Sequence, residues 1–302
     1  MQQSVLTISP PPHFHFWRTA YSHGWCDLPP FFHDTENKRL SRVLTLDART
    51  CALATVSADN KKLHITVKSV RPLASVHKKQ IISHVRTCLR LDEDFSEFHN
   101  AARKIPAFRW IATTGSGRML RSPTVFEDVV KMICTTNCTW ALTKMMITNL
   151  VEQFGQKFDG SLHAFPTPEA IAASSEKYLR KEIKSGYRSP YLIELAERVA
   201  SGELDLESWR TSDLPTDELF KQMRQVKGIG PYAVGNIMKL IGRYNYLGLD
   251  SWVRAQYYKQ HHKGRRVKDS TIEKYYEKFG KWRGLFFWFE MTRYWHDDKF
   301  TT

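Results

Sequence analysis

The sequence predicts an α+β protein whose N-terminal part is an antiparallel β-sheet with helices and whose remainder is entirely helical. Two strand-like segments near the N-terminus alternate apolar and polar residues, which is typical of half-buried antiparallel strands. From Ser122 onward, apolar residues recur instead with the period of a helix. A chain of 302 residues is also too long for one typical compact core. We therefore predict two domains, at residues 1–118 and 119–302.

The strands of the N-terminal domain are predicted in "RVLTLD" and "CALATVSADNKKLHITVKSV". The polar stretch "ADNKK" divides the second segment and predicts the turn of a hairpin. A helix is predicted next in "VHKKQIISHVRTCLRL", where one face carries Ile81, Ile82, Val85, Cys88 and Leu89. "FSEFHNAARKI" also has helical spacing.

Capping residues and prolines mark the helices of the C-terminal domain. Ser122 and Pro123 predict the start of a helix that continues through "VFEDVVKMIC". Gly155 predicts the end of the following helix, since glycine readily terminates helices. Later helices are predicted in "TPEAIAASSEKYLRKEI", "SPYLIELAERVASG" and "LPTDELFKQMRQV", the last with Thr216 as its cap.

The charge of the chain favours a polyanionic partner. The formal net charge is +14 at pH 7 and the sequence pI is about 9.5. An excess of this size suits nucleic acid or an acidic membrane surface, although a single run such as "HHKGRRVK" also suits a solvated loop. No run approaches the roughly 20 apolar residues that span a bilayer, and the N-terminus lacks the pattern of a secretory signal. We therefore expect no membrane partner.

The cysteine content indicates reduced thiols in an intracellular protein. There are five cysteines, an odd number, in apolar or mixed segments: Cys26, Cys51, Cys88, Cys134 and Cys138. Cys134 and Cys138 are one helical turn apart, but no second pair accompanies them, so we expect no metal site there.

The stretch "VKGIGPYAVGNIMKLIGRYNYLGLDSWVRAQ", residues 226–256, places a Gly-x-Gly turn between two helical patterns. Gly228 and Gly230 can take backbone angles closed to other residues, and Pro231 suits the first position of a helix. Such a turn can hold a phosphate on its N–H groups, but it also occurs where two helices simply pack. Asp250 follows at the start of "SWVRAQYYKQ", where it predicts either a helix N-cap or a functional carboxylate.

On these residues the chain resembles the helix–hairpin–helix DNA glycosylases, the HhH-GPD superfamily. "KGIGPY" and Asp250 are spaced much as the hairpin and the catalytic Asp are in that family. "GYRSPY" and "SPTVFEDVVKMICTTNCTW" resemble segments that 8-oxoguanine glycosylases place beside the opposing base and in the gap of the duplex. The N-terminal strands resemble the TATA-binding-protein-like sheet domain of 8-oxoguanine glycosylase and of 3-methyladenine DNA glycosylase II. The similarity is clearest over residues 216–256 and covers most of the chain.

The resemblance implies that Asp250 is the catalytic carboxylate, a role that is compatible with capping a helix. It also implies DNA contacts by four hairpin residues: Lys227, Gly228, Gly230 and Tyr232. A monovalent cation held by backbone carbonyls near Val226 and Ile229 is implied as well, with no metal ligand supplied by a side chain.

Further residues acquire expected roles from the same resemblance. Asn137 is expected to fill the gap that a flipped base leaves, although it also suits an ordinary loop residue that ends a helix. Tyr187 and Arg188 are expected to unstack and hold the orphaned partner base; the plain alternative is a Tyr packed under a loop and an exposed Arg. Trp140 and Trp252 are candidates for stacking on the flipped base, although aromatic residues more often belong to the core.

The chain departs from the family pattern at informative positions. Bifunctional members carry a Lys two residues after the second glycine of the hairpin, and its amine forms a Schiff base with the sugar. Tyr232 occupies that position here, while Lys227 and Lys239 lie elsewhere along the segment. Leu142 stands where 8-oxoguanine enzymes have a further Arg. The cysteines of an iron–sulfur cluster are absent, since no cysteine follows Cys138.

Together these features predict a monofunctional DNA glycosylase of base excision repair. An alkylated purine such as 3-methyladenine is the first expected substrate and 8-oxoguanine is the second. A non-catalytic helix–hairpin–helix DNA-binding protein is the alternative from another class. We expect a monomer that binds double-stranded DNA containing a damaged base, requires no cofactor, and is located with the DNA inside the cell.

Overall fold

The computed structural model of the protein describes residues 1–59 and 61–298, so Asn60 in the predicted turn and residues 299–302 of the predicted second domain lie outside the described residues. The strands are β1 (Gln2–Ile8), β2 (Phe31–Asp34), β3 (Arg39–Asp47), β4 (Thr50–Ala58), β5 (Leu63–Ser69), β6 (Lys157–Asp159) and β7 (Leu162–His163). The helices are α1 (Phe16–Ala20), α2 (Ser75–Leu89), α3 (Ser96–Arg103), α4 (Arg109–Thr113), α5 (Val125–Thr135), α6 (Trp140–Phe154), α7 (Pro168–Ala172), α8 (Glu176–Tyr178), α9 (Ser189–Ala200), α10 (Ser208–Thr211), α11 (Thr216–Met223), α12 (Pro231–Ile241), α13 (Ser251–His262), α14 (Asp269–Glu277), α15 (Arg283–Met291) and α16 (Arg293–Asp298).

The predicted fold class, an antiparallel sheet followed by a helical domain, is confirmed. The expectation that the chain is entirely helical after Ser122 is wrong, because β6 and β7 pair there as a short two-stranded sheet. The chain forms two compact units, the first from residues 1–93 and 118–207 and the second from residues 94–117 and 208–302. Each unit is therefore built from two separate stretches of the chain. The predicted division into residues 1–118 and 119–302 places helices α2, α3 and α4 with the main sheet, and it stays a prediction.

The main sheet belongs to the first unit and has the order β1-β5-β4-β3-β2 with antiparallel neighbours throughout. Strand β4 alternates buried and half-buried positions along most of its length, as the sequence predicts for a half-buried strand. The predicted helical face is also found, because Ile81, Val85, Cys88 and Leu89 of α2 are buried, whereas Ile82 is half-buried.

A buried charge network joins strand β3 to helix α5 within the first unit. Arg42 donates from Nη1 to Oε1 of Glu127 at 2.9 Å, and Nζ of Lys131 lies 2.7 Å from the same oxygen. Glu127 is 1% exposed and Lys131 is completely buried. Burial alone would raise the pKa of Glu127, but the charges of Arg42 and Lys131 lower it to about 2. The carboxylate is thus held ionised between two buried cations.

The second unit is helical, and one of its apolar clusters fixes helix α13. The buried members of this cluster come from α13, α14, α15 and the segment before α13: Leu247, Val253, Tyr257, Ile272, Tyr276, Phe287 and Met291. Leu249 and Trp252 pack against the cluster and are partly buried. Because these residues flank Asp250 on both sides, packing fixes the start of α13 and the carboxylate that caps it. Within the described part of the chain, no helix is long and apolar enough to cross a membrane.

Candidate active site

The Gly-x-Gly turn between α11 and α12 is tight, but its two glycines adopt different conformations. Gly228 has φ +84°, the left-handed region that favours glycine, as predicted. Gly230 has φ −84° and ψ 178°, an extended conformation that any residue adopts, so the expectation of special angles is wrong for this residue. A Cβ atom added at Gly230 would meet no atom within 4 Å. Nothing in the fold therefore requires glycine at position 230.

The turn presents the N-terminus of α12 together with a basic side chain. Gly230 is the N-cap and Pro231 occupies the first turn, as predicted; no side chain among the described residues caps this helix end. Lys227 is exposed in the turn. Helix N-termini bind anions through their N–H groups and the helix dipole. The hairpin can therefore accept one phosphate group beside a cationic side chain.

Tyr232 lies in the first turn of α12 and is half-buried. Its phenol cannot form an imine, in contrast to the amine expected in a Schiff-base enzyme. Lys239, further along α12, is 1% exposed, and its Nζ donates to the carbonyl oxygen of Leu247 at 2.5 Å. Burial lowers the pKa of the Lys239 ammonium to about 7, against the opposing effect of the Asp250 charge. The amine of Lys239 is therefore enclosed within the unit.

The segment that leads to Asp250 lies directly against α12. Asn236 donates from Nδ2 to the carbonyl of Tyr232 at 2.9 Å and to the carbonyl of Gly248 at 3.3 Å. Gly248 has φ +66°, and a Cβ added at Gly235 would lie 2.9 Å from the Gly248 Cα. Two glycines thus allow the backbone before Asp250 to approach the helix closely.

Asp250 is the N-cap of α13. Its Oδ1 accepts the N–H of Val253 at 2.8 Å, which confirms the predicted cap. The residue is half-buried, and Oδ2 has no hydrogen-bond partner within residues 1–59 and 61–298. The nearby Arg254 pairs with Asp269 at 2.7 Å. One carboxylate oxygen consequently fixes the side chain while the other is available for chemistry.

The predicted wedge and partner-base residues come together in the first unit. Asn137 is exposed with φ +47°, and its Nδ2 donates to the Tyr187 hydroxyl at 3.4 Å. Tyr187 is 47% exposed, whereas Arg188 is 4% exposed and donates to the carbonyl of Thr136. The Arg188 guanidinium carbon lies 4.5 Å from the Tyr187 ring centroid. Tyr187 is thus the exposed member and Arg188 the buried one, the reverse of the plain alternative; their contacts with DNA stay predictions.

The two candidate pocket tryptophans have different surroundings. Trp140 begins α6, is 39% exposed and covers Gly24, where an added Cβ would lie 2.5 Å from the indole ring. Trp252 is half-buried among aromatic rings, with centroid distances of 6.4 Å to Trp288 and 5.2 Å to Trp295. Trp140 is therefore the more exposed of the two, while the contacts of Trp252 are those of an aromatic cluster.

The segment "SHGW", residues 22–25, has contacts that the sequence did not predict, and its Gly24 lies beneath Trp140. Ser22 accepts the N–H of Leu120 at 2.8 Å, and His23 Nε2 lies 2.6 Å from the Leu120 carbonyl. The indole N–H of Trp25 donates to the buried Asp128 at 2.8 Å. The sequence signal that could have indicated this segment is a run of polar and aromatic residues around a single glycine.

Two parts of the molecule bear on cation binding: a group of side chains around Cys26 and the backbone of the hairpin. Among the described residues, one group of side chains could hold a metal ion: Cys26, Asp27 and His33. Nδ1 of His33 lies 3.2 Å from the Cys26 carbonyl and 3.3 Å from Asp27 Oδ1, contacts that a hydrogen-bonded loop explains. In the hairpin, the Val226 carbonyl accepts the N–H of Ile229 at 3.2 Å, and the cation expected near these two residues stays a prediction.

Known proteins are similar to this chain in sequence or in fold. A DNA-3-methyladenine glycosylase of Bacillus subtilis is 24% identical over 212 residues, which cover 68% of this chain and 69% of that protein. A 3-methyladenine DNA glycosylase structure from Archaeoglobus fulgidus has a TM-score of 0.76 at 18% identity, covering 96% of this chain and 99% of that one. A Clostridium acetobutylicum 8-oxoguanine glycosylase/lyase, in complex with double-stranded DNA containing cytosine opposite 8-oxoguanine, has a TM-score of 0.73 at 19% identity, covering 98% of both chains.

The two structural likenesses establish the shared fold, and the hairpin with Asp250 lies within it. Residues 130–281, half of the chain, match the family model described as HhH-GPD superfamily base excision DNA repair protein. This stretch contains the predicted wedge and partner-base residues, the hairpin and the capping carboxylate. The chain therefore belongs to the HhH-GPD superfamily of base excision DNA repair proteins.

Proposed function

We propose that the protein is a monofunctional DNA glycosylase that flips out a damaged purine and hydrolyses its N-glycosidic bond with Asp250 and water. The observation that carries the proposal is the Asp250 carboxylate, which is fixed through Oδ1 while Oδ2 has no hydrogen-bond partner among the described residues. In the sequence, Asp250 comes after a hairpin that is suited to bind the DNA backbone. The name of the Bacillus relative, a DNA-3-methyladenine glycosylase, supports the same activity.

The chemistry follows from what bond cleavage requires. A base within a duplex is inaccessible, so it must leave the stack at a cost of about a few kcal/mol. As the C1′–N bond breaks, its electron pair leaves with the base and positive charge develops on the sugar. The Asp250 carboxylate stabilises that charge and accepts a proton from the water that attacks C1′. The products are a free base and an intact strand with an abasic site.

Two residues of α12, Tyr232 and Lys239, support hydrolysis rather than Schiff-base chemistry. Tyr232 occupies the hairpin position where bifunctional relatives are expected to have lysine. Lys239 is 1% exposed and bonded to the Leu247 carbonyl, so its amine cannot reach a sugar without a change in the fold. Lys227 is exposed and is the remaining alternative in this segment.

An alkylated purine is the substrate class that we propose first. Alkylation places positive charge on the base, so the base leaves easily and stacks favourably on an aromatic ring. Trp140, an exposed aromatic side chain, is the candidate for such stacking. Leu142 replaces an arginine of the 8-oxoguanine branch, which argues for less strict recognition of the partner base. 8-Oxoguanine is the second candidate, because the Clostridium 8-oxoguanine glycosylase/lyase shares the fold over 98% of both chains.

A panel of duplexes, each with one damaged base, tests the proposal. The parent protein should release free alkylpurine and leave an alkali-sensitive abasic site, with no strand break before alkali and no adduct on borohydride reduction. Asp250→Asn retains the capping oxygen but removes the charge, and excision should fall by about 100-fold or more while lesion binding persists. Asp213→Asn, at an exposed residue, is the matched control. Excision by Asp250→Asn at the parent rate would refute the assignment, and efficient trapping of the parent would refute monofunctional chemistry.

A further inference from the structure

We infer that Lys239 and Asn236 are positioning residues that hold the segment 247–249 against α12 and thereby fix the Asp250 carboxylate. The inference rests on the proposed function, in which Asp250 acts on the sugar. Both side chains bond to backbone carbonyls of the segment that immediately precedes Asp250: Lys239 to Leu247 at 2.5 Å and Asn236 to Gly248 at 3.3 Å. Each residue therefore acts on Asp250 through the backbone.

Lys239 is an unusual residue for its location. It is 1% exposed within a helix whose neighbouring positions Ile237, Met238 and Leu240 are buried apolar residues. Placing an amine in such a core is costly unless its N–H groups are hydrogen-bonded. The lysine adds a hydrogen bond from Nζ to the Leu247 carbonyl, which a Leu or Met of similar volume could not donate.

Asn236 connects the same segment to the hairpin. Its amide nitrogen donates to the Tyr232 carbonyl in the first turn of α12 and to the Gly248 carbonyl. Tyr232, Asn236 and Lys239 are spaced i, i+4 and i+7, which places them on one face of the helix. This face therefore links the element expected to grip phosphate to the segment that carries the catalytic carboxylate.

Close packing makes the arrangement sensitive to small changes. A Cβ added at Gly248 would lie 2.7 Å from Asn236 Nδ2 and 2.9 Å from Lys239 Nζ. Both side chains thus lie directly over the Gly248 Cα, and a larger residue there would have to displace them. A misplacement of about 1 Å at a reacting group can reduce a rate by about 100-fold. Loosening this contact should therefore impair excision more than DNA binding.

Two variants of the full chain test the inference. Lys239→Met keeps an unbranched side chain of similar length and removes the donor, and Asn236→Ala removes the second contact. Lys221→Met, at an exposed residue of α11, is the control for loss of a lysine. Amide hydrogen exchange should accelerate in peptides covering residues 247–253 of both variants. Peptides covering α15 should exchange as in the parent protein. All peptides of the Lys221→Met control should also exchange as in the parent protein. This readout requires no substrate.

The second readout is single-turnover release of methylpurines from duplex DNA treated with dimethyl sulfate. We expect Lys239→Met to be slower by about 10- to 100-fold. Its Kd for a duplex containing a tetrahydrofuran abasic analogue should be unchanged. In the Asp250→Asn background, Lys239→Met should cause no further loss, because it acts only through that carboxylate.

The outcomes separate this inference from the proposed function. Parent-like exchange at residues 247–253 in both variants would overturn the inference, as would an undiminished effect of Lys239→Met in the Asp250→Asn background. If the parent releases no base, or if Asp250→Asn releases base at the parent rate, the proposed function is wrong. Hydrogen exchange still decides in that case whether Lys239 and Asn236 hold the segment 247–249 against α12. Loss of folded protein in Lys239→Met would leave Asn236→Ala to decide the same question.

Discussion

Gly230→Ala should separate DNA binding from folding, because the fold itself does not require glycine at this position. Gly230 has φ −84°, and an added Cβ would meet no atom within 4 Å. Restricting the unfolded chain should stabilise the protein by about 0.4–1 kcal/mol, while replacing the N-cap glycine by alanine costs a similar amount. The net change in the free energy of unfolding should therefore be within about 1 kcal/mol.

Gly228→Ala is the matched comparison within the same turn. Gly228 has φ +84°, so alanine there is strained whatever the surrounding space. Such strain costs about 1–3 kcal/mol, which should appear directly as reduced stability in urea unfolding. The two substitutions add the same methyl group two residues apart, yet we expect only Gly228→Ala to destabilise the protein.

The effect of Gly230→Ala on DNA binding should be large in comparison. A phosphate that accepts from the backbone N–H groups must approach to about 2.9 Å, and the added methyl group occupies that space. Loss of one hydrogen bond to a charged group is worth about 1.5–3 kcal/mol, or roughly a 10- to 100-fold increase in Kd. The dependence of log K on log salt should also become shallower by about 0.9 for each phosphate that the protein no longer neutralises.

Fluorescence anisotropy with an undamaged duplex at several salt concentrations, together with urea unfolding, measures both quantities. We expect Gly230→Ala to bind DNA more weakly than the parent, with a shallower dependence of log K on log salt and a free energy of unfolding close to that of the parent. If Gly230→Ala binds DNA as the parent does, the hairpin is a packing motif and the phosphate assignment is wrong. A loss of stability equal to the loss of binding energy would contradict the structural argument instead.

Further predictions concern the first unit. Glu127→Gln leaves Arg42 and Lys131 as buried cations without their carboxylate, so the free energy of unfolding in urea should fall by about 3–5 kcal/mol. Because the folded pKa of Glu127 is lowered from 4.5 to about 2, its contribution is fully present above pH 4.5 and disappears as the pH falls towards 2. Urea unfolding of the parent between pH 6 and 3 should show this loss, and Glu127→Gln should lack that component. Tyr187→Ala should weaken binding to an abasic duplex by about 1–3 kcal/mol if the exposed ring stacks on a base, whereas Tyr187→Phe should bind as the parent does, because its hydroxyl contacts are long, at 3.4 Å.

The features that were predicted correctly from the sequence depend on residues close together in the chain. Alternation and helical periodicity predicted the sheet and the helices, because half-buried elements must segregate apolar residues onto one face. Asp250 and Pro231 were placed correctly at helix N-termini, since capping depends on atoms three residues apart or fewer. The same reasoning misplaced two caps: Thr124, and not Ser122, caps α5, and Pro215, and not Thr216, is the N-cap of α11.

Tertiary partners far away in the sequence explain what was missed. The N–H of Ser122 donates to the Asp128 carboxylate, which also accepts the indole N–H of Trp25, 103 residues away. No local pattern encodes such a partner. Arg188 was likewise expected to be exposed in the plain interpretation, but it is buried because it reaches the Thr136 carbonyl, 52 residues away. Exposure of a charged side chain depends on the tertiary partners that its length allows it to reach.

Lys239 shows that a lowered pKa does not by itself make a nucleophile. A Schiff-base lysine must be neutral near physiological pH and must reach the sugar carbon. Lys239 meets the first condition, because burial lowers its pKa to about 7. It fails the second, because it is 1% exposed and its Nζ is bonded to the Leu247 carbonyl. The burial that lowers the pKa also encloses the amine, so the proposed function assigns Lys239 to positioning the Asp250 segment and assigns the attack on the sugar to water.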